Sequence, residues 1–89
     1  MARIEMSADH LVLTAPAQAG PEAYFELGCL YASGRNVGLD LVVAHKWFNV
    51  AAVRGHAPAA ERRAELAAEM SAAEIAAAQR EARLWLTRH

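Results

Sequence analysis

Four histidines, one cysteine and ten carboxylates are the side chains of this 89-residue sequence suited to metal, nucleophilic or acid–base chemistry. His10, His45, His56 and His89 are scattered, and no two stand at the i, i+4 or short paired spacing that turns two ring nitrogens toward one metal ion. Cys29 has no second cysteine with which to hold zinc or close a disulfide. As a nucleophile it would need a base beside it, and its place between Gly28 and Leu30 predicts an apolar role on a helix. Glu22, Glu26, Glu61, Glu65, Glu69, Glu74 and Glu81 stand mostly among alanines at helical spacing, the pattern of a solvated face with i, i+4 charge pairs. The stretch "SGRNVG" has glycines but no following Lys-Ser/Thr, so it is not a phosphate-binding loop. Arg62, Arg63, Arg80, Arg83 and Arg88 are the basic concentration, and the glutamates between them predict local pairing rather than a nucleic-acid surface. Tyr31, Trp47, Phe48 and Trp85 recur at helical spacing and are expected in the core. No catalytic, metal or cofactor constellation emerges, so the reading turns to the elements and the surface they make.

Bulk properties narrow the classes further. The length allows at most one small domain. The formal net charge of −1 gives no electrostatic reason for nucleic acid or an anionic membrane. No apolar run approaches the roughly 18–20 residues of a membrane span, and the start, with Glu5, Asp9 and His10, makes a poor signal peptide. The expected compartment is the cytoplasm. Alanine supplies 22 residues, which favours helices that approach closely.

Residues 1–19 carry Pro16 and no sustained period, and are expected to form a flexible or partner-dependent arm. From Pro21 a helical pattern begins. Ala23, Leu27, Leu30 and Tyr31 fall on one face, Pro21 suits the first helical position, and Gly34 is placed to end the helix in a left-handed conformation. Asp40 can cap a second helix whose stripe is Leu41, Ala44, Trp47, Phe48, Ala51 and Ala52, with Gly55 at its end. A third helix, Pro58 to Met70, carries a small-residue stripe of Ala60, Ala64, Ala67 and Ala68. "SAAE", Ser71 to Glu74, is a capping box for a fourth helix running through Ile75, Ala78, Ala82, Trp85 and Leu86. Gly28 lies inside the first helix at a cost of about 0.5–1 kcal/mol relative to alanine. It is expected to let the second helix approach closely, near Ala51 or Trp47.

The pattern recurs. Pro21 and Pro58 are 37 residues apart, and "AHKWF" at Ala44 returns as "ARLWL" at Ala82, 38 residues on. A helix–turn–helix period in the high thirties is the signature of an α-solenoid. The expected fold is therefore all-α, a short α-solenoid of two antiparallel helix-turn-helix hairpins with an N-terminal arm. Residues 20–55 form the first repeat. Residues 56–89 form a degenerate second repeat with a C-terminal capping helix.

Over residues 20–70 the sequence resembles the SEL-one-like repeat, a relative of the tetratricopeptide repeat. The resemblance rests on Ala23, Leu27, Gly28, Tyr31, Gly34, Val37, Asp40, Ala44, Trp47, Phe48, Ala51, Ala52, Gly55, His56 and Ala57. The second unit keeps its alanines and the Ala82, Trp85 pair but has Glu65 where Gly28 stands in the first. The resemblance implies a right-handed scaffold for protein–protein interaction, common in bacterial regulation, with no catalysis and no cofactor. It also implies a structural role for His56.

The expected function is thus a non-catalytic interaction module or adaptor. Glu22, Tyr24, Glu26, Cys29, Arg62 and Arg63, off the packing stripes of the first and third helices, are the expected partner contacts. Two repeats are fewer than the three that stacked arrays usually need, so a homodimer is a second form of partnership. The alternatives are a small regulatory subunit that modulates an enzyme, and a weak nucleic-acid binder acting through the C-terminal arginines.

Overall fold

The computed structural model of the chain describes residues 20–89, so the expected arm over 1–19 lies outside the described residues. Four helices follow one another: α1 (Pro21–Ser33), α2 (Leu41–Val53), α3 (Ala57–Ala67) and α4 (Ala72–Arg88). The described residues contain no strand. No helix among them is long and apolar enough to cross a membrane.

Local chemistry sets most of the boundaries. Pro21 opens α1, where its missing N–H is no loss. Gly34 closes it at φ 73°, its N–H donating to the Leu30 carbonyl at 2.9 Å. The Asp40 carboxylate accepts from the Val43 N–H at 3.1 Å and so caps α2. At α4 the Ser71 hydroxyl accepts from the Glu74 N–H at 3.1 Å while the Glu74 carboxylate accepts from the Ser71 N–H at 2.9 Å. Two orphan amides are satisfied reciprocally, as the motif predicts. The third helix ends earlier than expected, at Ala67, and Ala68 to Met70 form a turn.

Helix α2 is the hub. It packs against α1, α3 and α4, whereas the other helix pairs make at most slight contact. Its buried residues Ala44, His45, Trp47, Phe48, Val50 and Ala51 cover more than half of its circumference, leaving Lys46, Asn49 and the exposed Val53 on the remaining side. A helix with so wide a buried face belongs in the middle of a fold. The expected antiparallel pairing therefore holds for α1 with α2. For α3 and α4 it is corrected: each leans on α2 more than on the other.

Two packing stripes are corrected as well. On α1 the buried residues are Tyr24, Leu27, Gly28 and Tyr31, with Ala23 and Leu30 half-buried. The helix is rotated about its axis so that the large Tyr24 ring, rather than a methyl group, leaves water. On α3 the buried residues are Ala59 and Leu66, with Met70 just beyond, while Ala64 and Ala68 are exposed. The longer side chains bury more apolar area than the alanine stripe could.

Gly28 does mark a close approach, but to a different neighbour. A Cβ built there would stand 2.5 Å from Cδ1 of Phe48, inside any permissible contact. The Phe48 ring, not Trp47 or Ala51, occupies the space a side chain would need.

Candidate functional site

On the α1 side of the hub, Phe25 packs on Phe48 at 5.5 Å and on His56 at 4.7 Å between ring centroids. His56 is half-buried in the turn before α3, and its N–H donates to the Ala51 carbonyl at 2.9 Å. Toward α4, Tyr24, Trp47 and Trp85 form a cluster. Tyr24 lies parallel to Trp47 at 6.1 Å and meets Trp85 edge-on at 5.1 Å, and the two indoles stand edge-on at 5.4 Å. These offset and edge-to-face arrangements are the ones the ring quadrupoles favour. Lys46 covers the Trp47 ring at 4.2 Å and Arg54 covers the Trp85 ring at 5.6 Å. The rings thus meet one another and the protein's own cations. Of the aromatic residues expected in the core, Tyr31, Trp47 and Phe48 are buried there, while Trp85 is half-buried and packs against it.

The expected contact residues divide into three groups. Tyr24 is 0% exposed and is corrected from partner contact to core. Glu22 and Glu26 are exposed on α1. Cys29, Arg62 and Arg63 are half-buried where α1, α2 and α3 meet. The Arg62 guanidinium lies over the Phe48 ring at 5.4 Å, points Nη1 at Cys29 Sγ over 3.9 Å, and pairs with Glu65 at 3.4 Å. One arginine thus links the outward faces of α1 and α3. Arg63 turns instead toward α2, where Nη1 donates to Asn49 Oδ1 at 2.6 Å.

Two depressions open to solvent on this surface. Ala32, Leu41, Arg62, Glu65, Leu66 and Glu69 line one of about 160 Å³. Glu26, Cys29, Leu30 and Arg35 line the other, of about 250 Å³. Cys29 borders one and Arg62 the other, so their contact places the two hollows side by side. Each mixes apolar floor with charged rim. Among the described residues, no group of three or more His, Cys, Asp or Glu could hold a metal ion. The five arginines do not share one face: Arg62 and Arg63 are engaged on α3, while Arg80, Arg83 and Arg88 stand exposed on α4.

Two buried polar groups are not among the expected functional residues. His45, 2% exposed, has an Nδ1 with no hydrogen-bond partner, and the Trp47 Nε1 is likewise buried without one. Burial and the nearby positive charge of Arg63 hold the His45 ring below its ordinary pKa of 6.5, against a smaller opposing contribution from its own backbone. The sequence carried one signal for it: His45 follows Ala44 at the edge of a stripe that turns out wider than the apolar spacing alone indicates. Searches of family models, curated proteins and solved structures return no match to this chain.

Proposed function

We propose that this chain is a non-catalytic protein-interaction module, and that the α1–α3 surface receives the partner. The observation that carries this is the pair of adjoining hollows joined by the Cys29–Arg62 contact. An apolar floor with a rim of Glu26, Arg35, Glu65 and Glu69 suits a peptide or a protein segment better than a small substrate, because the hollows are small and open to solvent rather than enclosing. The repeat of Pro21 at Pro58 and of Ala44, Trp47 at Ala82, Trp85 supports a solenoid origin for the surface, as does the resemblance to SEL-one-like repeats.

The test is affinity purification from the native cell with the wild-type chain and with a Glu26→Arg, Glu65→Arg double variant. Both substituted positions are exposed, so the variant is expected to melt as the wild type does. A protein retained by the wild type and lost by the variant is the expected result. Equal retention by both would remove the α1–α3 surface from consideration. An enzyme recovered in equal stoichiometry, with altered turnover, would identify the regulatory-subunit form of the same role. Light scattering on the eluted chain separates a homodimer from a monomer.

A further inference from the structure

His45 lies on the face of α2 that looks toward α3. Asn49 is one turn further along the same face, and its Oδ1 accepts the Arg63 Nη1 hydrogen bond at 2.6 Å. The ring is 2% exposed and its Nδ1 has no partner. A neutral imidazole is tolerated there as a compact, mostly apolar group. An imidazolium would have to keep a charge out of water beside the guanidinium of Arg63.

We propose that His45 is an acid-sensitive latch: when its ring takes up a proton, the α2–α3 seam loosens and α3 shifts on the hub.

The charges around the seam offer the protonated ring no relief. From α3 and the turn after it, Arg63 acts on it directly, Arg62 is turned to Glu65 and Cys29, and Glu61 and Glu69 are exposed. On α2 itself, Lys46 is held over Trp47 and Arg54 over Trp85. On α1, Glu22 and Glu26 are exposed. On α4, the Glu74 carboxylate is engaged by the Ser71 cap, and Arg80, Glu81 and Arg83 are exposed. Burial and then Arg63 act against the protonated ring, and its own backbone gives a smaller opposing contribution.

The sign follows from linkage. The unfolded chain takes up the His45 proton near pH 6.5, and the folded chain only at lower pH. Between those two values the unfolded state binds more protons, so stability rises with pH and levels off above about 6.5. Acidification through that window increases the unfolding constant by up to about tenfold per pH unit. This latch does not depend on the α1–α3 surface having a partner.

The experiment follows the full chain by proton NMR and by urea unfolding from pH 7.5 to 5.0. The His45 Cε1–H resonance is expected to titrate below pH 6.5, with the methyl signals of Ala59, Leu66 and Met70 moving at the same midpoint. His45→Gln is expected to abolish the corresponding part of the acid slope in urea. Arg63→Gln, which removes the like charge, is expected to raise the ring's midpoint, and it serves if His45→Gln does not fold. A His45 midpoint at or above 6.5 would overturn the proposal. So would methyl signals that ignore the titration, or an Arg63→Gln midpoint unchanged from the wild type.

Discussion

Between α1 and α2 the contact is made by rings closing over a glycine: Phe48 fills the space above Gly28, and Tyr24 lies along Trp47. Helices α3 and α4 are held differently. They bring alanines, a few longer side chains and one indole to the hub, and they owe their ends to caps and to the turn at Ala68 to Met70. The first pair is specified by shape. The second rests more on helix propensity, with packing supplied by α2. The contrast shows how 70 described residues form a core. One helix with more than half of its circumference buried gives three others a common wall.

The largest test of this contrast compares one deletion in each half. Trp47 is 1% exposed and touches both the Tyr24 and the Trp85 ring, so Trp47→Ala is expected to cost about 3–5 kcal/mol and to leave the chain largely unfolded. Leu66→Ala on α3 is expected to cost about 2 kcal/mol, since Leu66 lies nearer the edge. Urea melts read both, and equal losses would erase the distinction. Gly28→Ala gives a smaller effect that sharpens it. The added methyl gains about 1 kcal/mol of helix propensity but meets the buried Phe48 ring, for a net loss of roughly 1–2 kcal/mol. A stabilised variant would mean that Phe48 can move aside. The smallest effect belongs to the capping box. Ser71→Ala is expected to cost about 1 kcal/mol, seen as faster amide exchange confined to the first turn of α4.

Helix ends were the most legible feature of the sequence. Pro21, Gly34, Asp40 and the Ser71–Glu74 box act within a few residues of themselves, so their meaning survives without the rest of the fold. Faces were less legible. Tyr24 and Ala23 are neighbours on α1, and the period alone admits either to the core. Size settles the choice only once a partner surface exists, and Phe48 over Gly28 turns the helix toward Tyr24. On α3, alanines at the right spacing look like a packing stripe, yet Leu66 and Met70 reach the hub and Ala64 and Ala68 do not. The candidate surface was legible in part. Glu26, Cys29 and Arg62 were within reach of helical spacing, whereas one of the hollows beside them comes from three helices meeting and the other from α1 with the turn that follows it.

The sequence by itself determined that the chain from Pro21 onward would be helical, where most helices would begin and end, and that the Trp47 indole would be buried with Trp85 packed against it. Those outcomes depend on backbone propensity, capping and hydrophobicity, which act locally or residue by residue. The tertiary structure decided that α2 would be shared by three neighbours, that a ring would occupy the glycine's gap, and that His45 would be sealed beside Arg63. Those depend on which side chains reach the same volume from distant parts of the chain, and a one-dimensional pattern does not contain that.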